Sequence, residues 1–366
     1  MKIAFRTDAS RQIGIGHVMR CLTLADALAA RGAECQFLCR AHEGNLIEFI
    51  CGKGYVVHAL PVTQTVATFP NACAPEIPHS HWLGATLSED IQACTEVLIA
   101  LVPNWLIVDH YAIDASWECA LAPFYHRLMV IDDLADRSHH CDLLLDQTFG
   151  RDAADYRCHV PASCRLLCGS QFALLRPEFA ALRTYSLQRR EQPVVRELLI
   201  TMGGVDKDNF TGQVLQVLNF CPLPAECRIT VVMGITAPWL EAVRKQLHDM
   251  PWQTRILVGV RNMAQLMADS DLAIGAAGAT SWERCCLGLP TIMLLLAENQ
   301  LKAAYELECA GAAVMIKIGA TKKFVELMST FIYDPARLRS MRDSAASIVD
   351  GLGLNTVIQH LEGFCE

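Results

Sequence analysis

The first 32 residues, MKIAFRTDASRQIGIGHVMRCLTLADALAARG (1–32), contain the pattern from which the fold can be predicted. The apolar run Lys2–Arg6 predicts a buried strand, and a polar loop with two glycines follows it. Residues with the i, i+3, i+4, i+7 spacing of a helix come next: Val18, Cys21, Leu22, Ala25, Leu28 and Ala29. Gly32 is expected to end this helix. A strand, a glycine loop and a helix in this order predict the start of a parallel α/β sheet.

The same alternation of short apolar runs and amphipathic segments continues along the chain. The further predicted strands are Glu34–Leu38, Tyr55–Ala59, Trp105–Asp109, Arg127–Ile131, Asp142–Asp146, Arg165–Gly169, Glu197–Met202, Arg228–Met233, Thr254–Val258, Asp271–Gly275, Thr291–Leu295 and Ala313–Ile318. Strands that alternate with helices are typical of parallel sheets covered on both faces. The fold class is therefore predicted to be α/β.

A polar segment closed by proline, Arg183–Pro193, interrupts this alternation and precedes a new strand with a second glycine loop. We interpret it as a helix end and a linker between two doubly wound, Rossmann-like domains that face each other across a cleft. The predicted domains are residues 1–188 and 194–366, with the last helix able to pack back on the first domain. Segment Pro61–Trp82 has four prolines and little periodicity, which predicts a surface loop or insertion.

The composition argues against several classes of protein. Of the 366 residues, 52% are hydrophobic and 19% are charged, which favours a large core over intrinsic disorder. The net charge is −8, with 31 Lys and Arg against 39 Asp and Glu and no basic block, so we expect no nucleic-acid partner. No apolar run reaches the length of a membrane span, and charge appears within the first six residues. We therefore expect no membrane partner, no signal peptide and a cytoplasmic location.

The 17 cysteines form no Cys-x-x-Cys pair, and most lie in apolar runs. This distribution favours buried free thiols over a disulfide framework or a zinc ribbon.

Two glycines, Gly14 and Gly16, precede the first helix. Glycine allows a ligand to approach the backbone closely, and free N–H groups at a helix start attract negative charge. This loop is not the dinucleotide-binding fingerprint, because Arg20 stands where the third glycine is required. By itself, the pair of glycines is a weak signal.

His17 is the sharper feature of this loop. It lies on the first turn of the helix, where the helix dipole favours a neutral ring that can act as a general base. Its candidate partners are Asp8, Ser10 and Asp109, all at strand ends of the same domain. An alternative remains open, in which His17 caps the helix or packs against Arg6.

The second glycine loop, Gly203-Gly204, also lies between a predicted strand and a helix. Asp206 and Asp208 spell a metal-binding Asp-x-Asp, but we favour a role at the helix start.

Glu283 is predicted at the start of a later helix, after small residues on which a ligand can lie. Its carboxylate can accept hydrogen bonds from a ribose diol, or it can form a capping box with Thr280 that needs no ligand. Both interpretations remain open. Segment Glu298-Asn299-Gln300 follows the next strand, at the edge where α/β sheets bind ligands.

Two further segments have a structural explanation as well as a functional one. Asp109 and Tyr111 follow a strand and either face the cleft or belong to a structural loop. The run 139–142, HHCD, contains four potential metal ligands, but adjacent side chains point in different directions, so we expect no metal there.

Taken in order, these motifs resemble those of the UDP-diacetamido-trideoxy-altropyranose hydrolases of pseudaminic acid biosynthesis. The residues that carry the resemblance are RTDAS (6–10), GIGHVMR (14–20), IVDHY (107–111), IDDLA (131–135), HCD (140–142), ALLRPEF (173–179), MGG (202–204), SWERCCLGLP (281–290) and ENQ (298–300). That family is in turn similar to the GT-B glycosyltransferases, which implies a GT-B-like fold.

The resemblance implies hydrolysis of the bond between UDP and its sugar, without a metal or a cofactor. His17 would be the base that activates water for attack on the anomeric carbon. Arg176 and Asn299 would contact the substrate, Glu283 would hold the uridine ribose, and loops at Gly204 and 279–281 would hold the diphosphate. The candidate substrate-binding residues are Asp8, Gly14, Gly16, Asp109, Tyr111, Arg176, Gly204, Ala279, Thr280, Ser281, Glu283 and Asn299.

Two alternative functions remain open. A GT-B glycosyltransferase would use the same UDP site with an acceptor hydroxyl in place of water, and a non-catalytic module would only bind the nucleotide sugar. A transferase needs an acceptor surface, but the helix faces near the first loop show no clear exposed apolar cluster, so we favour the hydrolase. The sequence determines neither the sugar's substituents nor the oligomeric state, and a monomer is compatible with it.

Overall fold

The structure, a computed structural model, describes residues 1–63, 78–296, 300–317 and 319–364. The chain folds into two compact units, one formed by Met1–Leu174 with Leu354–Glu366 and the other by Leu175–Gly353. Asn299 and most of the predicted insertion, residues 64–77, lie outside the described residues.

The first unit is built on a seven-stranded parallel sheet. Its strands are β1 (Lys2–Thr7), β2 (Glu34–Arg40), β3 (Val56–Leu60), β4 (Trp105–Asp109), β5 (Arg127–Ile131), β6 (Leu143–Asp146) and β7 (Arg165–Cys168). The strand order is β3-β2-β1-β4-β5-β6-β7. Every residue of β4 is buried, as expected for a central strand with helices on both faces of the sheet.

Four helices of the first unit follow its strands. They are α1 (Gly16–Ala29), α2 (Ile47–Gly52), α3 (Leu87–Leu101) and α4 (Ala115–Leu121). Helix α1 begins directly after the first glycine loop, and its apolar residues Val18 and Leu22 join Ile3 and Phe37 of the sheet in one core cluster. This packing fixes the start of α1 at the carboxyl end of β1.

The second unit is built on a six-stranded parallel sheet of order β10-β9-β8-β11-β12-β13. Its strands are β8 (Glu197–Thr201), β9 (Arg228–Met233), β10 (Gln253–Val258), β11 (Leu272–Ala276), β12 (Thr291–Leu294) and β13 (Val314–Ile316). Its helices are α5 (Pro177–Arg189), α6 (Phe210–Leu218), α7 (Leu240–His248), α8 (Met263–Asp269), α9 (Thr280–Cys286), α10 (Leu301–Cys309), α11 (Thr321–Tyr333) and α12 (Pro335–Ile348).

Both sheets reverse their direction of winding between two adjacent strands, β1 and β4 in the first unit and β8 and β11 in the second. At such a switch point the two flanking connections lead away to opposite sides, which leaves a crevice at the carboxyl ends of the strands. The first glycine loop follows β1, and the second follows β8. The two-sheet α/β prediction is confirmed, and all thirteen predicted strands are present with ends shifted by at most two residues.

Helix α5 belongs to the second compact unit, whereas the predicted boundary at residue 188 assigned it to the first. The reason lies in its polar side chains. Arg183 donates to the carbonyls of Cys286 and Val349, at 2.5 and 2.9 Å, and Arg190, which follows the helix, donates to that of Ser270. These carbonyls end other elements of the second unit, so α5 is tied to it by hydrogen bonds that composition does not reveal.

The last helix, α13 (Gly353–Glu362), falls almost entirely in the first compact unit. Its residues Val357, Ile358 and Leu361 are fully buried in the same core cluster as Trp105 of β4. The first unit therefore includes both ends of the chain. None of the helices in the described parts of the chain combines the length and the apolar character needed to cross a membrane.

Candidate active site

His17 lies at the carboxyl end of the first sheet, near the switch point. It is the second residue of α1, and only 8% of it is exposed. Its Nδ1 is 2.6 Å from Oδ1 of Asp109, the fully buried last residue of β4. Among the three candidate partners, the structure thus pairs His17 with Asp109. The interpretation of His17 as a helix cap is wrong, because α1 has no side-chain cap.

Arg20 binds the same carboxylate from the next turn of α1. Its Nε is 2.6 Å from Oδ2 of Asp109, one terminal nitrogen is 2.7 Å from Oδ1, and the other is 2.9 Å from Asp133. Burial alone would raise the pKa of Asp109, but Arg20 and His17 outweigh burial and hold that pKa below its usual value. Since Asp109 is ionised and can only accept, Nδ1 of His17 carries the hydrogen and donates it, and Nε2 is the ring nitrogen that does not bind Asp109.

Tyr111 forms an aromatic side of this cluster. Its ring meets that of His17 edge-on, with 4.6 Å between the centroids, and its hydroxyl donates to Asp133. The ring of Trp82 stacks on Tyr111 at 5.5 Å. Tyr111 is only 6% exposed, as expected for a residue that packs in a structural loop. It also lies beside His17, as expected for a residue of the site.

Asp8 is fully buried and surrounded by protein groups. Its carboxylate lies 2.7 Å from a terminal nitrogen of Arg6, accepts the backbone N–H of Arg40 at 2.6 Å, and lies 3.2 Å from Nε2 of His110. Although burial alone would raise the pKa of Asp8, Arg6 and the neighbouring histidines hold it well below its usual value. Asp8 is therefore buried at the carboxyl end of β1, where its hydrogen bond with Arg40 connects β1 to β2. It does not lie at the surface beside His17.

The first glycine loop is shaped by Ser10. The hydroxyl of Ser10 accepts the N–H of Ile13 at 2.9 Å, and its carbonyl accepts the N–H of Gly14 at 2.9 Å. Gly14 has a φ of +79°, which residues with a Cβ rarely adopt, and Gly16 is exposed as the first residue of α1. The loop therefore carries open backbone directly before His17.

The second glycine loop rests on the loop that follows β9. A Cβ added to Gly234 would lie 1.8 Å from the carbonyl oxygen of Gly204, so the two backbones touch. Gly203, with a φ of +91°, makes the turn out of β8. Asp206 accepts the N–H groups of the first two residues of α6 at 2.8 and 3.0 Å. The helix-start interpretation of Asp206 is thus confirmed.

The loop between β11 and α9 holds the predicted diphosphate residues. Ala279 is exposed and Thr280 is half-buried, whereas Ser281 is buried. Arg284, 1% exposed, reaches back beneath this loop and donates from one terminal nitrogen to the Ala276 carbonyl at 2.7 Å and to the Ser281 hydroxyl at 3.0 Å. Its other terminal nitrogen has no hydrogen-bond partner among the described residues, and burial lowers the pKa of Arg284 to about 10.

Glu283 lies on the first turn of α9, beside this loop. The predicted capping box with Thr280 is wrong, because the helix starts after Ala279 and no side chain caps it. Partial burial raises the pKa of Glu283 to about 7, although Arg176 and Arg284 act in the opposite direction. The carboxyl group is thus not engaged in capping the helix.

Arg176 immediately precedes α5 in the second unit, and it is half-buried. It forms an ion pair of 2.9 Å with Glu178 and donates to the carbonyl of Arg261 at 3.3 Å. The charge of Arg176 acts against burial and lowers the pKa of Glu283. Asn299, the remaining candidate, lies outside the described residues.

The HHCD run at 139–142 is occupied by structural contacts. Nδ1 of His139 lies 2.7 Å from the buried carboxylate of Glu118, which also accepts the N–H of His140. Within the ranges that the structure covers, no three or more His, Cys, Asp or Glu side chains are grouped to hold a metal, and the cysteines are free.

Four residues of these sites escaped the sequence analysis as candidates: Arg20, Asp133, Trp82 and Arg284. Arg20 had a usable signal, since it lies three residues after His17 and therefore on the same helix face. The contacts of Asp133, Trp82 and Arg284 depend on tertiary packing, for which the local sequence gives no pattern.

The sequence is similar to those of known proteins in both compact units. Residues 198–348, most of the second unit, match the Glycosyltransferase family 28 C-terminal domain. A UDP-2,4-diacetamido-2,4,6-trideoxy-beta-L-altropyranose hydrolase of Campylobacter jejuni is 28% identical over 319 residues, which cover 87% of this chain and all of that protein.

Solved structures share the fold, among them the following two. MurG of Acinetobacter baumannii superimposes with a TM-score of 0.70 at 14% identity, covering 99% of both chains. The UDP-GlcNAc 2-epimerase of Neisseria meningitidis, solved with UDP-GlcNAc bound, gives a TM-score of 0.60 at 14% identity, covering 99% of this chain and 100% of that one. The resemblance predicted from the sequence is confirmed: the chain is similar over most of its length to a UDP-diacetamido-trideoxy-altropyranose hydrolase, and it has a GT-B-like fold.

Proposed function

We propose that this protein hydrolyses a UDP-linked diacetamido-trideoxy sugar to the free sugar and UDP, as a cytoplasmic step of pseudaminic acid biosynthesis. The observation that carries the proposal is the 2.6 Å contact between Nδ1 of His17 and the buried carboxylate of Asp109, which leaves Nε2 for the proposed reaction with water. A neutral imidazole oriented by a buried carboxylate is suited to accept a proton from water.

In the proposed reaction, Nε2 of His17 takes a proton from water while the water oxygen bonds to the anomeric carbon. The bond between that carbon and the oxygen of the β-phosphate breaks, and UDP leaves with the electron pair. Attack from the face opposite UDP inverts the anomeric centre. Asp109 then faces an imidazolium, which its negative charge stabilises.

The second unit is proposed to hold the UDP group. Glu283 would accept hydrogen bonds from the ribose diol, Arg176 and Asn299 would contact the substrate, and the loops at Gly204 and 279–281 would hold the diphosphate. This assignment is supported by the match of residues 198–348 to a glycosyltransferase domain and by the place of both loops at the β8–β11 switch point. Charge that grows on the diphosphate would be stabilised by Arg176 and backbone N–H groups, without a metal.

The test is release of UDP and free sugar by wild-type protein and by His17→Ala. We expect His17→Ala to bind UDP with an affinity within a few-fold of wild type, because His17 is in the other unit from the proposed UDP residues, and to lose sugar release. In ¹⁸O-labelled water the wild type should label the sugar and not UDP. Near-normal turnover of His17→Ala would remove His17 from the mechanism, and label in UDP would indicate attack at phosphorus.

A glycosyltransferase is the second candidate, favoured by the family 28 C-terminal match and by the similarity to MurG. The two functions differ in the molecule that receives the sugar. Sugar release with no acceptor present supports hydrolysis, whereas UDP release that depends on an added acceptor supports transfer.

A further inference from the structure

Three aromatic side chains form a continuous group next to His17. Trp82 stacks on Tyr111 with 5.5 Å between centroids and 22° between planes, and His79 lies 4.5 Å from Trp82 and 5.3 Å from Tyr111. Trp82 also faces the ring of His17 edge-on at 6.4 Å. We call His79, Trp82 and Tyr111 the aromatic wall.

Trp82 of the aromatic wall lies in a turn that is anchored in the core of the first unit. Trp82 belongs to a short 3₁₀ turn, Ser80–Leu83, whose last residue Leu83 is 3% exposed in the core of the first unit. The next residue, Gly84, has a φ of +67°, and a Cβ there would lie 2.3 Å from a ring carbon of His42. The chain thus leaves the wall through a tightly packed turn, so the position of Trp82 is fixed by the fold.

The members of the wall differ in accessibility. Tyr111 is buried and its hydroxyl is used by Asp133, whereas Trp82 and His79 keep part of their surface accessible to a ligand. The accessible rings of the wall are therefore those of Trp82 and His79, and Trp82 carries the larger aromatic ring system. A ring system of this kind attracts apolar C–H groups, which meet its electron-rich face.

We propose that Trp82 is a specificity-determining residue, and that the aromatic wall is the subsite for the apolar substituents of the sugar. An N-acetylated, deoxygenated sugar presents acetamido methyl groups and a C6 methyl group in place of hydroxyls. These groups fit an aromatic surface beside the base, whereas a sugar with a full set of hydroxyls would lose hydrogen bonds to water there. The inference rests on the proposed function, since it assumes that the anomeric carbon lies at His17.

The experiment compares Trp82→Ala and Trp82→Phe with wild type, with UDP, a UDP-diacetamido-trideoxy-hexose and UDP-GlcNAc as ligands. We expect Trp82→Ala to raise KM for the deoxygenated sugar about tenfold, to leave the affinity for UDP unchanged, and to reduce the preference over UDP-GlcNAc. Trp82→Phe should restore most of the loss, because it keeps an aromatic face. Ser80→Ala is the matched control, since Ser80 lies in the same turn, is exposed and carries no ring, and it should leave KM unchanged.

Direct titration of each ligand separates this inference from the proposed hydrolysis. If the wild type releases no sugar but binds the deoxygenated UDP-sugar in a Trp82-dependent way, hydrolysis is overturned and the aromatic subsite stands. If folded Trp82→Ala keeps wild-type KM and sugar preference, the subsite is overturned and hydrolysis stands. A wild type that binds no UDP-sugar overturns both.

Discussion

The buried carboxylate of Asp109 binds Arg20 and His17 at the same time. Arg20 neutralises the buried charge, while His17 donates one hydrogen bond to it. The buried charge of Asp109 is thus compensated by a guanidinium, while the carboxylate still orients the imidazole of His17. We therefore regard Arg20 as the residue that holds Asp109 ionised beside His17.

The first prediction concerns Asp109→Asn. An amide at this position can donate its N–H to Nδ1, which moves the ring hydrogen to Nε2 and removes the base. We expect kcat to fall by about 10²- to 10⁴-fold, with little change in affinity for UDP. Single-turnover release of sugar and titration of UDP measure the two effects. Asp142→Asn, at the opposite end of the same sheet, should leave kcat unchanged, and an equal loss in that control would point to general destabilisation.

Glu283 gives the second prediction, because partial burial raises its pKa to about 7. A ribose diol donates hydrogen bonds to the ionised carboxylate, so UDP affinity should weaken as the pH falls through 7. Folding stability has the opposite dependence. Between the unfolded pKa of 4.5 and about 7 the folded state holds the extra proton, so stability decreases as the pH rises through this window.

Glu283→Gln tests both effects. UDP titrations at pH 6 and pH 8 should show a pH-dependent affinity in wild type and a weaker, pH-independent affinity in the variant. Thermal unfolding should show the variant gaining stability relative to wild type as the pH is raised from 5 to 8. A wild-type UDP affinity that does not change across pH 7 would contradict the assigned role of the carboxylate.

At the scale of single residues, the sequence indicates His17 as a candidate base because a glycine pair before a helix is a local pattern. It left Asp8, Ser10 and Asp109 open as partners, because the choice depends on which strand lies beside β1. The structure puts β4 there, which brings Asp109 to His17 from 92 residues away. The capping box of Thr280 with Glu283 failed for a similar reason, since the spacing was present but α9 began without a side-chain cap.

Among the elements, β11 and α9 meet at a junction where a buried side chain lies against the backbone of the strand. Gly275 lies in β11 where the side chain of Arg284 crosses the strand. A Cβ there would lie 2.3 Å from a terminal nitrogen of Arg284 and 2.8 Å from the carbonyl oxygen of Thr201 in β8. The absence of a side chain at Gly275 is therefore what allows Arg284 to reach the Ala276 carbonyl and hold the loop.

The third prediction follows from this geometry. Gly275→Ala should destabilise the protein by about 1–3 kcal/mol, because the carbonyl of Thr201 belongs to a paired strand and cannot move away. The midpoint of urea unfolding measures the loss. Gly278→Ala is the matched control in the same junction, since its nearest neighbour would be 3.9 Å away, and its midpoint should match wild type. Equal midpoints for both variants would mean that β8 and β11 are less tightly packed than described.

Element by element, the alternation of apolar runs and helices predicted the strands well, because each run is a local signal. The order of strands in each sheet was beyond that reasoning. Nothing in the composition of β4 distinguishes it as the neighbour of β1, and the same is true of β11 and β8. The pairs β1–β4 and β8–β11 form the switch points beside the candidate residues. The candidate residues were therefore predicted from local motifs and from the resemblance, whereas their geometry came from the structure.

In the whole molecule, the chain passes from the first compact unit to the second and then returns to the first. The chain leaves the first unit at Leu174, builds the second, and returns at Leu354. The predicted division at residues 188 and 194 follows the polar segment after α5, whereas the second compact unit already begins at Leu175. It could not show that Arg183 and Arg190 bind carbonyls of the second unit, because these contacts are between distant parts of the sequence.

The last prediction concerns α13, the helix with which the chain returns to the first unit. Ile358 on α13 is fully buried with Trp105 in the core of the first unit, although it is close to the end of the chain. Ile358→Asn places an amide in that core and should cost about 2–4 kcal/mol. Hydrogen exchange should then rise in strands β1 and β4 while β8 and β11 keep their protection, because the second unit has its own core. Gln359→Ala, one residue further and exposed, should change neither. Increased exchange confined to β8 and β11 would contradict the assignment of α13 to the first unit.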